Sequence, residues 1–276
     1  MRIQTGLEDD GAEDDETKFD YFPITRERLC CMKLLLTYKN ALFKAFTALR
    51  THYIVLLGVF VLGIIWLVAT QLVGGSTQGW GMIQGLISSA LLAFYYSWIR
   101  SVVDKERLRF KDLFEFDYTL FFTIIGASFM IGIPLLVLQE MSRTGSTMSW
   151  VYLCASLLVV ILLNPLPEAI SVGKSESSME AIPEAFYFTK QYWIEWLLPV
   201  ALLVLPIGLL YGLTTTVLVI AGSDVTLPFS LAMKALASMG VGNSLLFFII
   251  LIPAAHFYML FRGFLFESLS SGRRRF

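Results

Sequence analysis

The chain has 276 residues, of which 56% are hydrophobic, and its mean hydropathy is +0.68. Only 16% of its residues are charged, against about 25% in soluble domains, and the formal net charge is −1. This composition excludes an ordinary soluble globular protein. The near-neutral net charge indicates no particular class of partner, and no nucleic-acid partner is expected.

Residues 1–24 are predicted to be a disordered acidic tail in the cytoplasm. Residues 7–20 contain eight acidic side chains and one base, Lys18, so the segment has little apolar surface to bury. It lacks the basic start and apolar run of a signal peptide, so membrane insertion is expected to use the first true span. Docking of the tail to a basic partner is the alternative to a simply solvated segment.

Residues 25–51 are predicted to form an amphipathic helix that leads into the first span. Their polar side chains recur at spacings of seven, four and three residues, which is the period of one helical face. A basic helix of this kind lies in the headgroup region of a membrane, where each base favours anionic lipid by about 1 kcal/mol. We therefore expect contacts with anionic headgroups on the cytoplasmic side from Arg26, Lys33, Lys44 and Arg50.

Six stretches of 18 to 26 residues contain no Asp, Glu, Lys or Arg: 53–73, 80–99, 118–138, 150–167, 196–221 and 241–261. About 20 apolar residues in a helix cross a bilayer core. The sequence therefore predicts an all-α, multi-pass membrane protein. Six transmembrane helices lie in a membrane domain over residues 25–267, and a short basic cytoplasmic tail follows at 268–276.

The bases predict the orientation of these spans. Nineteen of the 21 Lys and Arg residues fall on one side of the six-span arrangement, and only Arg143 and Lys234 fall on the other. Because loops that stay in the cytoplasm are enriched in bases, both termini are expected in the cytoplasm and the chain in the plasma (inner) membrane.

The sequence also contains an internal repeat. Residues 41–57 are similar to residues 181–197. Residues 93–100 are similar to residues 255–262, and both of these segments end in arginine. A fainter middle copy pairs Phe46 with Phe114. We infer three parallel hairpin units, over about 41–105, 109–173 and 181–267. Each unit has an amphipathic lead-in, a span, a short outer loop and a second span.

Polar side chains near the cytoplasmic ends of the spans are the candidate site residues. His256 is the one ionisable residue inside a predicted span, and Asn164 and Glu168 are expected at a similar depth. Burying such groups is costly, so they indicate either a hydrogen bond between helices or a small functional cavity. Both interpretations stay open for His256, Asn164 and Glu168. Asn164 and Pro165 are expected to break the fourth helix.

Catalytic patterns are absent from the sequence. The two histidines lie far apart, and no Cys, His and carboxylate residues have metal-ligand spacing. No glycine-rich phosphate loop and no G-x-S-x-G nucleophile motif occurs. The protein is therefore expected to be non-enzymatic, with no catalytic, cofactor-binding or metal-binding residues.

The chain resembles a family of six-helix bacterial membrane domains of unknown function, such as the domain fused to some glycerophosphodiester phosphodiesterases. The resemblance covers about residues 30–267. It is carried by the lead-in Asn-Ala-Leu-Phe-Lys-Ala-Phe at 40–46, its second copy at 178–186, and Asn-Pro-Leu-Pro at 164–167. It implies a membrane fold without an established activity. The phosphodiesterase domain itself is missing, so no catalytic residue is implied.

Residues 180–199 have a second resemblance, to the cytoplasmic coupling loop of importer-type ABC permeases, which reads E-A-A-x3-G-x9-I-x-L-P. Glu180-Ala181 and Leu198-Pro199 match at the correct separation, whereas Phe186 and Trp196 stand where the loop has glycine and isoleucine. The resemblance implies a protein partner at the 174–195 loop. It also implies a coupling segment over 180–199 that includes Glu180, Ala181, Glu184 and Pro199.

Three functional interpretations follow from the sequence. The first is a non-enzymatic membrane accessory, scaffold or transport component. The alternatives are an ABC transporter permease subunit with a degraded coupling loop and a lipid-handling membrane protein. The oligomeric state is not indicated by any of these patterns.

Overall fold

A computed structural model describes residues 26–73, 80–105, 110–143, 146–173, 175–211 and 241–272. Over these residues the protein is all-helical. The acidic tail 1–24, Lys174, and the end of the basic tail at 273–276 lie outside the described residues, as do the side chains of Arg26 and Lys33 and the second half of the predicted fifth span.

Eight α-helices and one short 3-10 helix, Phe110–Phe114, make up the described part of the chain. The α-helices are α1 (Arg26–Thr51), α2 (Tyr53–Val73), α3 (Trp80–Lys105), α4 (Tyr118–Ser142), α5 (Ser146–Leu162), α6 (Leu166–Ser171), α7 (Ser178–Tyr211) and α8 (Val241–Gly272). The prediction of an all-α fold is confirmed for the described residues.

Two of these helices are long and apolar enough to cross a membrane, at Ile83–Asp104 and Tyr118–Ser142. A third candidate arises if the segments Leu34–Thr51 and Tyr53–Trp66, which meet at an angle of 79°, are counted as one bent span. These counts apply to the described residues. The presence of long apolar helices is compatible with a membrane protein.

The lead-in helix α1 packs most extensively against α8. Ala41, Ala45 and Ala48 form its buried stripe, and their small side chains let the two helix backbones approach closely. The larger apolar side chains of α1 lie on its outer side, where Phe43 and Phe46 are exposed. Helix α1 ends at Thr51 and α2 begins at Tyr53, and the two helices meet at an angle of 79°.

Helices α2, α3 and α4 pack in succession. A Cβ atom added to Gly58 of α2 would lie 2.9 Å from the Trp98 ring, so glycine allows this close approach to α3. The Trp98 indole N–H donates to the carbonyl of Leu113 at 3.2 Å. Asp117 caps α4, since its side chain accepts from the backbone N–H groups of Thr119 and Leu120.

The predicted break of the fourth helix is confirmed. Helix α5 ends at Leu162, a turn follows, and the short helix α6 begins at Leu166. Pro165 and Pro167 have no backbone N–H to continue the ladder of helical hydrogen bonds. All six residues of α6 are buried, so this short helix lies inside the bundle.

Helix α7 begins at Ser178 and contains one residue with non-helical dihedrals, Tyr192 (φ −122°, ψ 31°). The 174–195 segment, predicted from the sequence to be a loop, is therefore mostly helical from Ser178 onward. The core lies where α3, α6 and α7 meet the C-terminal half of α8. Its largest side chains include Trp196, Ile99, Leu260 and Phe266.

Candidate functional site: a buried polar cluster

Arg262 of α8 and Glu168 of α6 form a buried ion pair in this core. Arg262 Nε lies 2.7 Å from Glu168 Oε1, and Arg262 Nη2 donates to Glu168 Oε2 at 2.7 Å. The Nη2–Oε2 contact is a charge-assisted hydrogen bond, whereas Nε and Oε1 lie at ion-pair distance without hydrogen-bond geometry. Only 4% of Arg262 and 1% of Glu168 is exposed.

Asn164 joins this ion pair to α7. Arg262 Nη2 donates to the backbone carbonyl of Asn164 at 2.6 Å, and the indole N–H of Trp196 donates to the Asn164 side-chain carbonyl at 2.9 Å. The carbonyl of Asn164 accepts from Arg262 at the break between α5 and α6, where regular helical hydrogen bonding stops. The polar atoms released by the break are thus used within the protein.

Two aromatic rings enclose the guanidinium. The Arg262 Cζ atom lies 4.8 Å from the centroid of the Trp196 ring and 5.7 Å from that of Tyr258. Both distances are within the range of cation–π attraction. Arg262 therefore meets opposite charge on one side and aromatic faces on others, which compensates for its removal from water.

The environment acts on the two charged groups in opposite ways. Burial raises the pKa of the Glu168 carboxyl, and the adjacent Arg262 charge opposes that rise by favouring the carboxylate. For Arg262, burial lowers the pKa of the guanidinium, but the charges of Glu168 and Tyr258 and their hydrogen bonds together outweigh burial, so the net shift is upward. For Glu168 the effect of burial is the larger one, so the net shift of its pKa is also upward.

His256 lies near this cluster on α8 and is also buried. Its Nδ1 atom is 3.2 Å from the hydroxyl oxygen of Tyr95 on α3, in a buried hydrogen bond. Asn164 and Glu168, which the sequence suggested as partners of His256, instead contact Arg262. The three predicted residues therefore lie in one buried region, and two of them share a direct partner.

Sequence reasoning missed Arg262, Trp196 and Tyr95. Arg262 was counted among the cytoplasmic bases, Trp196 was noted only at the isoleucine position of the coupling-loop pattern, and Tyr95 only as a residue of the repeat. One signal was present: Arg262 directly follows the sixth apolar stretch, and Glu168 directly follows the fourth. Opposite charges at matching ends of two spans are candidates for pairing.

The four residues assigned to the permease-like coupling loop differ in their exposure to solvent. Ala181 is fully buried, whereas Glu180 is exposed and its carboxylate accepts from the backbone N–H of Glu176 at 3.2 Å. Glu184 and Pro199 are half-buried. These four residues lie along α7 and form no single exposed surface.

Two of the four bases expected to contact headgroups can be placed. Lys44 and Arg50 are both exposed on α1, and the Lys44 Nζ atom lies 5.6 Å from the centroid of the Phe264 ring. Arg26 and Lys33 fall on the N-terminal part of the same helix. Among the described residues, no group of three or more His, Cys, Asp or Glu side chains is arranged to hold a metal ion.

No protein-family model, no curated protein and no solved structure matches this chain.

Proposed function

We propose that this chain is a multi-pass membrane protein with six spans and both termini in the cytoplasm. Its role is non-enzymatic, as an accessory, scaffold or transport component. The observation that carries the proposal is the buried cluster around Arg262, in which Asn164 and Glu168 each contact the Arg262 guanidinium. Hydrogen bonds and an ion pair of Asn164, Glu168 and Arg262 connect α6, α7 and α8. Contacts of this kind are typical of residues with a structural role.

The arrangement of the lead-in helices supports the proposed repeat. Ala41, Ala45 and Ala48 of α1 are buried, and the residues 140 positions later, Ala181, Ala185 and Phe188 of α7, are buried as well. The bend between α1 and α2 falls at residue 52, and the non-helical residue of α7 is residue 192, again 140 positions later. Both lead-ins therefore have a buried stripe at equivalent positions. Both also have an irregularity at the equivalent residue, a 79° bend after α1 and one non-helical residue within α7.

The membrane part of the proposal is tested by the accessibility of two exposed positions in a cysteine-free background. Arg143→Cys lies in the predicted outer loop after α4, and Glu176→Cys lies in the predicted cytoplasmic segment before α7. A membrane-impermeant thiol reagent added to intact cells should label the first and not the second. Labelling of Glu176→Cys from outside would refute the six-span arrangement.

The accessory role is tested by co-purification of the native protein in mild detergent, followed by mass spectrometry of proteins and lipids. We expect a stable membrane-protein partner in stoichiometric amount. An ATPase as partner would replace the proposal by the permease alternative, for which Ala181 would have to become accessible. Turnover of a substrate by the purified chain alone would refute the non-enzymatic role.

A further inference from the structure

An open groove runs along α1 beside its contact with α8. Its volume is about 490 Å³, and it is lined by six side chains of α1 together with Phe257 of α8. Five of those six are apolar or aromatic, and Lys39 is the sixth. Phe43 is 71% exposed and Leu35 is 70% exposed, so large apolar surfaces stand open along the groove. Contiguous apolar surface of this kind marks a membrane or ligand contact.

The charges on α1 indicate what the groove accepts. Between residues 34 and 51 the helix carries three bases, Lys39, Lys44 and Arg50, and no acid, and all three are exposed. Lys44 is directed toward the ring of Phe264. Lys39 is the base that lines the groove itself. An occupant that matches this surface has an apolar chain and an anionic head.

The equivalent lead-in of α7 has a different charge. Its exposed or half-buried residues include two acids, Glu180 and Glu184, against one base, Lys190. Phe186 stands at the position of Phe46, and Lys190 stands at the position of Arg50, so the two helices share their apolar pattern but not their net charge. An anionic ligand is therefore attracted to α1 and not to α7.

We propose that the groove on α1 binds one anionic phospholipid of the cytoplasmic leaflet. Its acyl chain lies against Leu35, Phe43 and Phe46, and its phosphate lies at the ammonium group of Lys39. This inference rests on the proposed membrane location and adds a defined lipid site to it. The site holds a lipid at the point where α1 meets α8, which makes the α1–α8 contact sensitive to the lipid composition of the membrane.

The test compares two lipids on the full-length protein in mild detergent. Phosphatidylglycerol and phosphatidylcholine with the same acyl chains are titrated separately, and bound lipid is counted by native mass spectrometry. We expect tighter binding of phosphatidylglycerol. Lys39→Gln should weaken phosphatidylglycerol binding about fivefold and leave phosphatidylcholine binding unchanged, since one base near a membrane surface contributes roughly that much. Phe43→Gln should weaken binding of both lipids equally.

Lys190→Gln and Phe186→Gln are the controls, because they make the same kinds of change on α7, at the positions equivalent to Arg50 and Phe46. Neither should alter the preference for phosphatidylglycerol. Equal binding of the two lipids, or equal effects of Lys39→Gln and Lys190→Gln, would overturn the assignment. A dimer of the wild-type chain that is lost in Phe43→Gln would also overturn it, because a second copy would then cover the groove.

Extraction of native membranes with alkaline carbonate separates failure of the site from failure of the proposed function. Release of the chain by carbonate would refute the membrane location. Retention of the chain in the membrane, with no lipid preference in the titration, would refute the lipid site alone.

Discussion

Removal of the Arg262 side chain tests whether the buried cluster is structural. Arg262→Met keeps a long apolar stem but leaves Glu168, which is 1% exposed, without its charged partner. Breaking a buried ion pair from one side costs about 3–5 kcal/mol. The control is Arg100→Gln. Arg100 occupies the equivalent place in the first unit, and its contact with Asp117 is 3.6 Å long with side chains 35% and 31% exposed. This pair is partly exposed and longer, so it should contribute about 1 kcal/mol, much less than the buried pair.

The pH dependence distinguishes the two partners. Burial raises the pKa of Glu168, and loss of Arg262 removes the charge that opposes this rise. In Arg262→Met the folded chain therefore holds a proton that the unfolded chain releases above about pH 4.3. The cost is largest above the raised pKa and shrinks by about 1.4 kcal/mol per pH unit as the pH falls through it. Glu168→Gln removes the titrating carboxyl and leaves a guanidinium that cannot lose its proton, so the stability of this variant should not vary with pH through the pair.

Both effects are measured as the free energy of unfolding in mixed micelles of a mild detergent and dodecyl sulfate, followed by tryptophan fluorescence at pH 5 to 8. The expected order is a large loss for Arg262→Met at pH 8, a smaller loss at pH 5, and a small, constant loss for Arg100→Gln. Equal losses for Arg262→Met and Arg100→Gln would refute the argument that burial makes the Arg262 pair essential.

Two further predictions concern the acidic tail and the hydrogen bond between His256 and Tyr95. Deletion of residues 1–20 should change the midpoint of thermal unfolding in detergent very little, since a charged, solvated segment buries little surface; a large drop would show that the tail packs on the protein. His256→Leu and Tyr95→Phe each remove the hydrogen bond between α8 and α3, so each should cost about 0.6 kcal/mol and at most about 1.7 kcal/mol. Thermal unfolding of both single variants and of the double variant measures this, and additive losses would contradict a direct contact between the two side chains.

The local features of this protein followed from its sequence. The helical class, the apolar stretches and the break at Asn164–Pro165 depend on residues close together in the chain, because helix length and proline effects are set locally. The lead-in helix was also found from periodicity, although its buried stripe proved to be Ala41, Ala45 and Ala48, since close helix packing favours small side chains over large ones.

The partners of the polar residues were decided only by the tertiary structure. Glu168 and Arg262 are 94 positions apart, and Tyr95 and His256 are 161 positions apart. Hydropathy and charge periodicity report which face of a helix is polar, but they do not report which helix stands opposite. The bundle brings α3, α6, α7 and α8 together at one end. A base that the sequence assigned to the solvent becomes the centre of the buried cluster there, because Glu168, Asn164 and Trp196 are positioned to replace its water.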